Sequence, residues 1–285
     1  MNNRNSSNHK SSYLCDMITT PKTSYYSEVE SYYNEDAGLG FESRADGNRS
    51  LERIRDDFRE ITVRYPFTRA LEIGCGPGFD VHWFAKRFPE RHFTAVDISA
   101  SMVALAQARL DKDHLTNARV LKSDERQLAG FFGKGSFDLV YVYFGALNTV
   151  ENLDFAASEI KALLTPGGIA VVTFVNRWYL RELFVQLVKL NFKTAFARLG
   201  KVWGGYSVTR HLPSHCYAPS RIKAAFKDFK LMERKGYSVF YPPWYNDHKI
   251  RSHPEKADRL WEIDQKIQHS PFWAAGEYTL FVFQA

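Results

Sequence analysis

Apolar positions change period in an ordered way along this chain. Leu51, Ile54, Phe58 and Ile61 recur at helical spacing with Arg and Asp between them, so an amphipathic helix is expected from Ser50, stopped by Pro66. Short apolar runs then alternate with helical stretches. Strands are expected at 69–73, 93–96, 119–121, 137–143 and 169–175, and helices at 81–88, 101–110 and 153–164. The run Ala170-Val171-Val172-Thr173-Phe174-Val175 fits a strand buried on both faces. Such alternation predicts an α/β fold, a parallel sheet with helices on both sides. Beyond 176 the pattern changes. One long amphipathic helix is expected over 178–199, from Leu180, Leu183, Phe184, Leu187, Val188 and Phe192. A Gly/Tyr/His/Pro-rich stretch follows at 200–220, then a helix at 221–229, a strand at 231–240, a helix at 256–268 and a last strand at 278–283. Residues 25–48 are rich in Tyr. Residues 1–24, Asn- and Ser-rich at the start, read as a disordered tail.

Composition narrows the class. The 285 residues are 45% hydrophobic and 25% charged, which is globular and excludes disordered, collagen-like and disulfide-stapled chains. No apolar run reaches the roughly 18 residues of a membrane span. The N-terminus has no apolar core of a secretory signal. Three distant cysteines, Cys15, Cys75 and Cys216, show no metal spacing and fit a reducing, cytoplasmic setting. His211 and His215 stand at i, i+4, but Pro213 between them excludes a metal-binding helix, and no metal is expected. The net charge of +6 is unevenly spread, because residues 176–236 hold 13 Lys+Arg against three acids. That segment reads as a solvated face, or as a surface for an anionic membrane, an acidic carrier protein or RNA. No RNA-binding sheet with stacking aromatics is visible, so nucleic acid is not expected as a partner.

The informative segment is Leu71-Glu72-Ile73-Gly74-Cys75-Gly76-Pro77-Gly78, a strand running into a glycine turn and then a helix. Glycines there let backbone approach a ligand, and the helix start offers free N–H groups. A dinucleotide fingerprint, G-x-G-x-x-G, fails because Phe79 holds the place of the third glycine. Glu72 would also repel a pyrophosphate, whereas it suits a cationic ligand. On these residues the sequence resembles the class I S-adenosylmethionine-dependent methyltransferases, whose first motif is E-x-G-x-G-x-G. Asp97 at the end of the second expected strand, the run Asp97-Ile98-Ser99 to Met102, Asp124 followed by Glu125, the loop Phe144–Asn148 and Leu163-Leu164-Thr165-Pro166-Gly167-Gly168 agree with the family's later motifs.

The resemblance implies a Rossmann-like seven-stranded sheet with an antiparallel last strand, helices on both faces and a helical insertion after strand five. It implies S-adenosyl-L-methionine as cofactor, S-adenosyl-L-homocysteine as product, and Glu72, Gly74, Cys75, Gly76, Gly78, Asp97, Ile98, Met102, Asp124, Glu125 and Phe144 as cofactor contacts. In that family the carboxylate at the Glu72 position lies near the methionine amino end, the Asp97 position meets the ribose hydroxyls and the Asp124 position the adenine amino group. A single domain over 25–285 is expected: an N-terminal cap segment at 25–66, a cofactor core at 67–175, a lid-like insertion at 176–220 and the rest of the sheet at 221–285.

The acceptor is less constrained. The loop Phe144-Gly145-Ala146-Leu147-Asn148 lacks the [N/D]-P-P-[Y/F] of nucleobase-amine methylating relatives. A small acceptor is expected, apolar or carrier-bound, methylated on O, N or C. The alternatives are an RNA or protein methyltransferase docking through 176–236, and a non-catalytic cofactor-binding regulatory subunit. Tyr33, Arg44, Asn148 and Trp178 are candidate substrate contacts, and His211, His215 and Tyr217 candidate general bases. Oligomeric state and membrane-surface contact stay open.

Overall fold

The structure, a computed structural model, describes residues 23–207 and 210–285. The expected tail lies outside the described residues up to position 22, and Ser24 already belongs to a helix.

The Tyr-rich segment folds as two helices, α1 (Ser24–Gly38) and α2 (Phe41–Ala45), ahead of α3 (Arg49–Val63). Asn48 caps α3, its side-chain oxygen accepting from the Leu51 N–H at 3.0 Å. Then come β1 (Arg69–Ile73), α4 (Phe79–Arg87), β2 (His92–Asp97), α5 (Ala100–Lys112), β3 (Ala118–Lys122), α6 (Leu128–Phe132), β4 (Phe137–Val142), α7 (Leu153–Leu163) and β5 (Leu164–Val175). The insertion holds α8 (Leu180–Val188) and α9 (Phe192–Phe196). The chain closes with α10 (Pro219–Ala225), β6 (Lys230–Tyr237), α11 (Asp247–Ser252), α12 (Pro254–Lys266) and β7 (Tyr278–Gln284).

The seven strands run in the order β3-β2-β1-β4-β5-β7-β6. The first five are mutually parallel, and β7 lies antiparallel between β5 and β6, with Val172 opposite Phe281. Alternating side chains feed two cores. On one face Ala70, Ala95, Leu139, Tyr141 and Val171 pack with Ile54 and Phe58 of α3, Phe84 of α4 and Ala106 of α5. On the other, Leu71, Val96, Val140, Val172 and Phe281 pack with Ala156 and Ile160 of α7 and Ile222 of α10. The carboxyl ends of β1, β2 and β4 thereby meet the turns that lead into α4, α5 and α7.

Three sequence expectations need correction. The long helix over 178–199 is broken. Leu190 takes a left-handed φ of 57°, and the Asn191 side chain accepts from the Thr194 N–H at 3.3 Å, starting α9 afresh. The strand expected over 231–240 ends at Tyr237. Ser238 turns left-handed, and the N–H groups of Val239, Phe240 and Tyr241 donate to the Asp264 carboxylate instead of to a neighbouring strand. Strand five begins early, at Leu164, since Phe137 of β4 pairs with it before a register shift.

Candidate active site

The carboxyl ends of the central strands open on a cavity of about 510 Å³, within the range of small-molecule sites. Its floor is the glycine turn. The N–H groups of Gly74 and Cys75 both donate to the Val96 carbonyl, at 2.8 and 3.1 Å, which ties the turn to β2. Two glycines have separable reasons. Gly78 has φ 78°, and a Cβ there would stand 2.7 Å from the Ala106 Cβ, so it serves the close packing of α4 on α5. Gly76 lines the cavity, and a Cβ there would meet only the Phe41 ring edge, at 4.0 Å.

Carboxylates surround that floor. Asp97 accepts from the Gly76 N–H at 2.8 Å and the Ser99 N–H at 2.9 Å, and burial pushes its acid up to about 6. Glu72 is buried and accepts from the Tyr141 hydroxyl at 3.1 Å. Burial, reinforced by nearby Asp80, raises its acid well above the ordinary range. Arg55 and Arg59 both pair with Asp80, at 3.4 and 2.7 Å, and their charge opposes the rise of the Glu72 acid. Asp124 is held by its neighbour Arg126, whose Nε and Nη2 donate at 2.9 and 2.6 Å. Glu125 accepts from the Tyr26 hydroxyl of α1, and burial lifts its acid to about 7.

The loop after β4 is strained at one residue. Phe144 has φ 49°, uncommon for a bulky side chain, and such strain concentrates at functional sites. Its ring lies under the Arg55 guanidinium at 4.9 Å and edge-on to Tyr278 at 5.8 Å. Gly74, Cys75, Ile98 and Met102 line the cavity with Glu72, Gly76, Asp97, Asp124, Glu125 and Phe144, whereas Gly78, also expected as a cofactor contact, does not line it and packs against Ala106.

The opposite wall comes from elsewhere. Tyr26, Val29, Tyr32, Tyr33 and Asp36 of α1 reach it, with Arg44 of α2, Trp203, Tyr206 and Arg210 of the insertion, Trp244, and Tyr278 of β7. Asp36 binds Arg44 at 2.8 Å and also pairs with Arg210, so one carboxylate links α1, α2 and the insertion. Tyr206 donates its hydroxyl to Glu277 at 2.7 Å. Glu277 is fully buried, and burial lifts its acid to about 7 against the opposing pull of Arg198, whose Nη2 lies 3.7 Å away.

The substrate and base candidates disperse. Tyr33 and Arg44 line the cavity. Asn148 lines it too, but its side chain is spent on backbone: Oδ1 accepts from the Val175 N–H at 2.9 Å, while Nδ2 donates to the Val175 and His215 carbonyls at 3.0 and 2.5 Å. It clamps the β4 loop to β5. Trp178 is exposed, and His211 faces solvent at the insertion surface. His215 is bound through Nδ1 to the Lys201 carbonyl at 2.6 Å. Tyr217 packs against Phe174, with its phenol raised to about 12 by burial. None of Trp178, His211, His215 and Tyr217 lines the cavity. Sequence reasoning missed Tyr206 and Glu277 as a pair. No local signal joins two residues so far apart in the chain; only the antiparallel β7 places Glu277 beside the insertion.

Five parallel strands with an antiparallel β7 inserted before β6, and a glycine turn between two carboxylates, define a nucleotide-cofactor α/β fold of the methyltransferase kind. Residues 70–168 match the family described as a methyltransferase domain. Over these residues the chain carries a methyltransferase domain, on the fold of the class I S-adenosylmethionine-dependent methyltransferases. A tRNA (guanine-N(7)-)-methyltransferase of Anaeromyxobacter dehalogenans is 31% identical over 135 residues, 44% of this chain and 66% of the relative. A trans-aconitate 2-methyltransferase of Deinococcus radiodurans is 28% identical over 156 residues, 53% of this chain and 57% of the relative. The chain thus spans no more than 66% of the length of these two relatives. Among solved structures, the [4+2]-cyclase SpnF shares the fold at TM-score 0.61 and 19% identity, over 94% of this chain and 98% of its own. A geranyl diphosphate C-methyltransferase of Streptomyces coelicolor A3(2) does so at TM-score 0.59 and 14% identity, over 93% and 99%. Among the described residues there is no cluster of metal-ligating side chains, and no helix is long and apolar enough to cross a membrane.

Proposed function

We propose that this protein transfers a methyl group from S-adenosylmethionine to an O, N or C atom of a small acceptor. The observation that supports this most is the pairing of a buried, acid-raised Glu72 with the open backbone of Gly76 and the Asp97 carboxylate on one cavity floor. A buried carboxyl whose nearby arginines, Arg55 and Arg59, are engaged by Asp80 is a group that a cationic ligand stabilises. Glu72 would meet the positively charged methionine end, Asp97 the ribose hydroxyls, and Ile98, Met102 and Asp124 the adenine. The cofactor supplies an electrophilic methyl group. The chain's own task is alignment, since holding two reactants in line lowers a barrier by about 7–11 kcal/mol.

On the acceptor side, the Tyr32, Trp203, Tyr206, Trp244 and Tyr278 rings favour an acceptor with an apolar body. The Tyr206 oxygen keeps a lone pair for an acceptor O–H or N–H while its own hydrogen points at Glu277. Glu277, with its acid near 7, is the proton's resting place in such a relay. Tyr206 and Glu277 therefore replace His211, His215 and Tyr217 as the proposed proton-handling pair.

A second reading, methylation of RNA, draws on the likeness to a tRNA methyltransferase. The aromatic enclosure of the acceptor wall favours the small acceptor. The full chain, incubated with methyl-labelled cofactor, should label organic-extractable small molecules in a cell extract. Label confined to added bulk tRNA would favour the second reading, and label in no fraction would overturn both.

A further inference from the structure

The surface of α8 and α9 has no role in the cavity. The two helices pack on each other, yet no residue of α8 is buried. Leu180, Phe184 and Val188 lie at i, i+4 and i+8 and are 46%, 68% and 68% exposed. Beyond the break, Leu190 is 75%, Phe192 56% and Phe196 49% exposed. Isolated exposed apolar residues are ordinary, but a contiguous group on one hairpin marks an interaction site. Lys189, Lys193 and Lys201 are exposed among them. Glu182 is the one acid of residues 177–202, and it is held at 2.5 Å by the buried Arg198. The hairpin thus presents apolar bulk and positive charge together, with no exposed negative charge of its own.

That combination selects the occupant. A second copy docking by two-fold symmetry would set the same lysines against each other. The chain's own residues 1–22 contain Arg4, Lys10 and Lys22 against Asp16, so they are basic as well. An anionic lipid surface satisfies both features, because acyl boundary accepts the apolar side chains and headgroups accept the lysines. We propose that the α8–α9 hairpin seats the protein on an anionic membrane surface, with Phe184, Val188, Leu190 and Phe192 entering the interface and Lys189, Lys193 and Lys201 on the headgroups. Residues 203–207 and 210–214, which follow the hairpin, include cavity-lining Trp203, Tyr206 and Arg210. If the proposed methyl transfer holds, the docked face lies on the same insertion as the acceptor wall, and an acceptor drawn from the lipid phase follows.

The test uses the full chain without cofactor. It is sedimented with vesicles of phosphatidylcholine alone and of equal parts phosphatidylcholine and phosphatidylglycerol. Binding to the anionic vesicles is expected, weakening as salt rises. Lys189→Gln with Lys193→Gln should weaken it about tenfold or more, and Phe184→Glu with Val188→Glu at least as much. Leu190→Ser, at the most exposed position, provides a milder variant whose folding is not at risk. All variants should keep the parent's melting temperature and its affinity for S-adenosylhomocysteine, so failure of docking is distinguishable from failure of the cofactor reading. No binding to anionic vesicles would overturn the proposal. So would binding indifferent to Phe184→Glu with Val188→Glu, or a concentration-dependent dimer that this pair of substitutions dissolves.

Discussion

The two walls of the cavity are built by opposite means. The floor under Glu72, Gly76 and Asp97 is continuous chain at the ends of adjacent parallel strands, and its contacts are largely backbone. The opposite wall, the proposed acceptor side, gathers α1, α2, the insertion, Trp244 and β7, and is held by side-chain pairs such as Asp36 with Arg44 and Arg210. A ligand shared across a family needs the same short geometry every time, so a local motif suffices. A wall assembled from distant segments can change its ligand without disturbing the sheet.

The largest expected effect breaks the floor. Gly78→Val would combine a left-handed φ with overlap against Ala106, costing about 3 kcal/mol or more in urea unfolding. Gly76→Ala should cost about 1 kcal/mol in the same assay, because its side is open, and yet weaken S-adenosylhomocysteine binding. A Gly76→Ala loss equal to that of Gly78→Val would erase the distinction between packing and ligand glycines.

Next is Asp97→Ala. Losing a charged hydrogen-bond partner costs about 1.5–3 kcal/mol, or roughly 10- to 150-fold in cofactor affinity by calorimetry. Glu72 adds a sign to that measurement. Its acid is raised in the free protein, and a cationic ligand favours the ionised form. Binding should therefore release protons and tighten as pH rises, which titration in buffers of different ionisation enthalpy reads directly.

The acceptor wall gives a smaller, pH-dependent effect. The native Glu277 acid lies at about 7, above the roughly 4.3 of an unfolded glutamate. Its contribution to stability is then complete below about pH 4 and is lost as pH rises through 7. Asp97 and Asp264, near 6, and Glu125, near 7, act in the same direction. The parent should lose stability between about pH 4 and 7, and Glu277→Gln should lose about 3 kcal/mol less across that window. Equal slopes would remove Glu277 from the account. The smallest effect is Arg210→Ala, below about 1 kcal/mol in unfolding, with faster hydrogen exchange confined to α1 and the insertion.

The same contrast explains what was readable in the chain. The strand–glycine–helix segment and Asp97 were legible because their structure and chemistry are local. The sheet was legible because strands buried on both faces read as apolar runs. The break at Leu190 was not, because Asn191 competes for the backbone inside an otherwise continuous helical pattern. Neither was the role of Asn148, whose partners Val175 and His215 arrive from other elements. Glu277 read only as the residue before a strand, and its burial against Arg198 and Tyr206 is a tertiary fact.

The central claim is that the Glu72–Gly76–Asp97 floor binds the methyl donor's nucleoside and amino-acid ends. Calorimetric titration of the full chain with S-adenosylhomocysteine, beside Asp97→Ala, tests it most directly. The account predicts saturable binding at one site, weakened roughly tenfold or more by Asp97→Ala when the two are compared at a temperature where both proteins are folded. Absence of binding to the parent, or equal affinity in the two proteins, would contradict it.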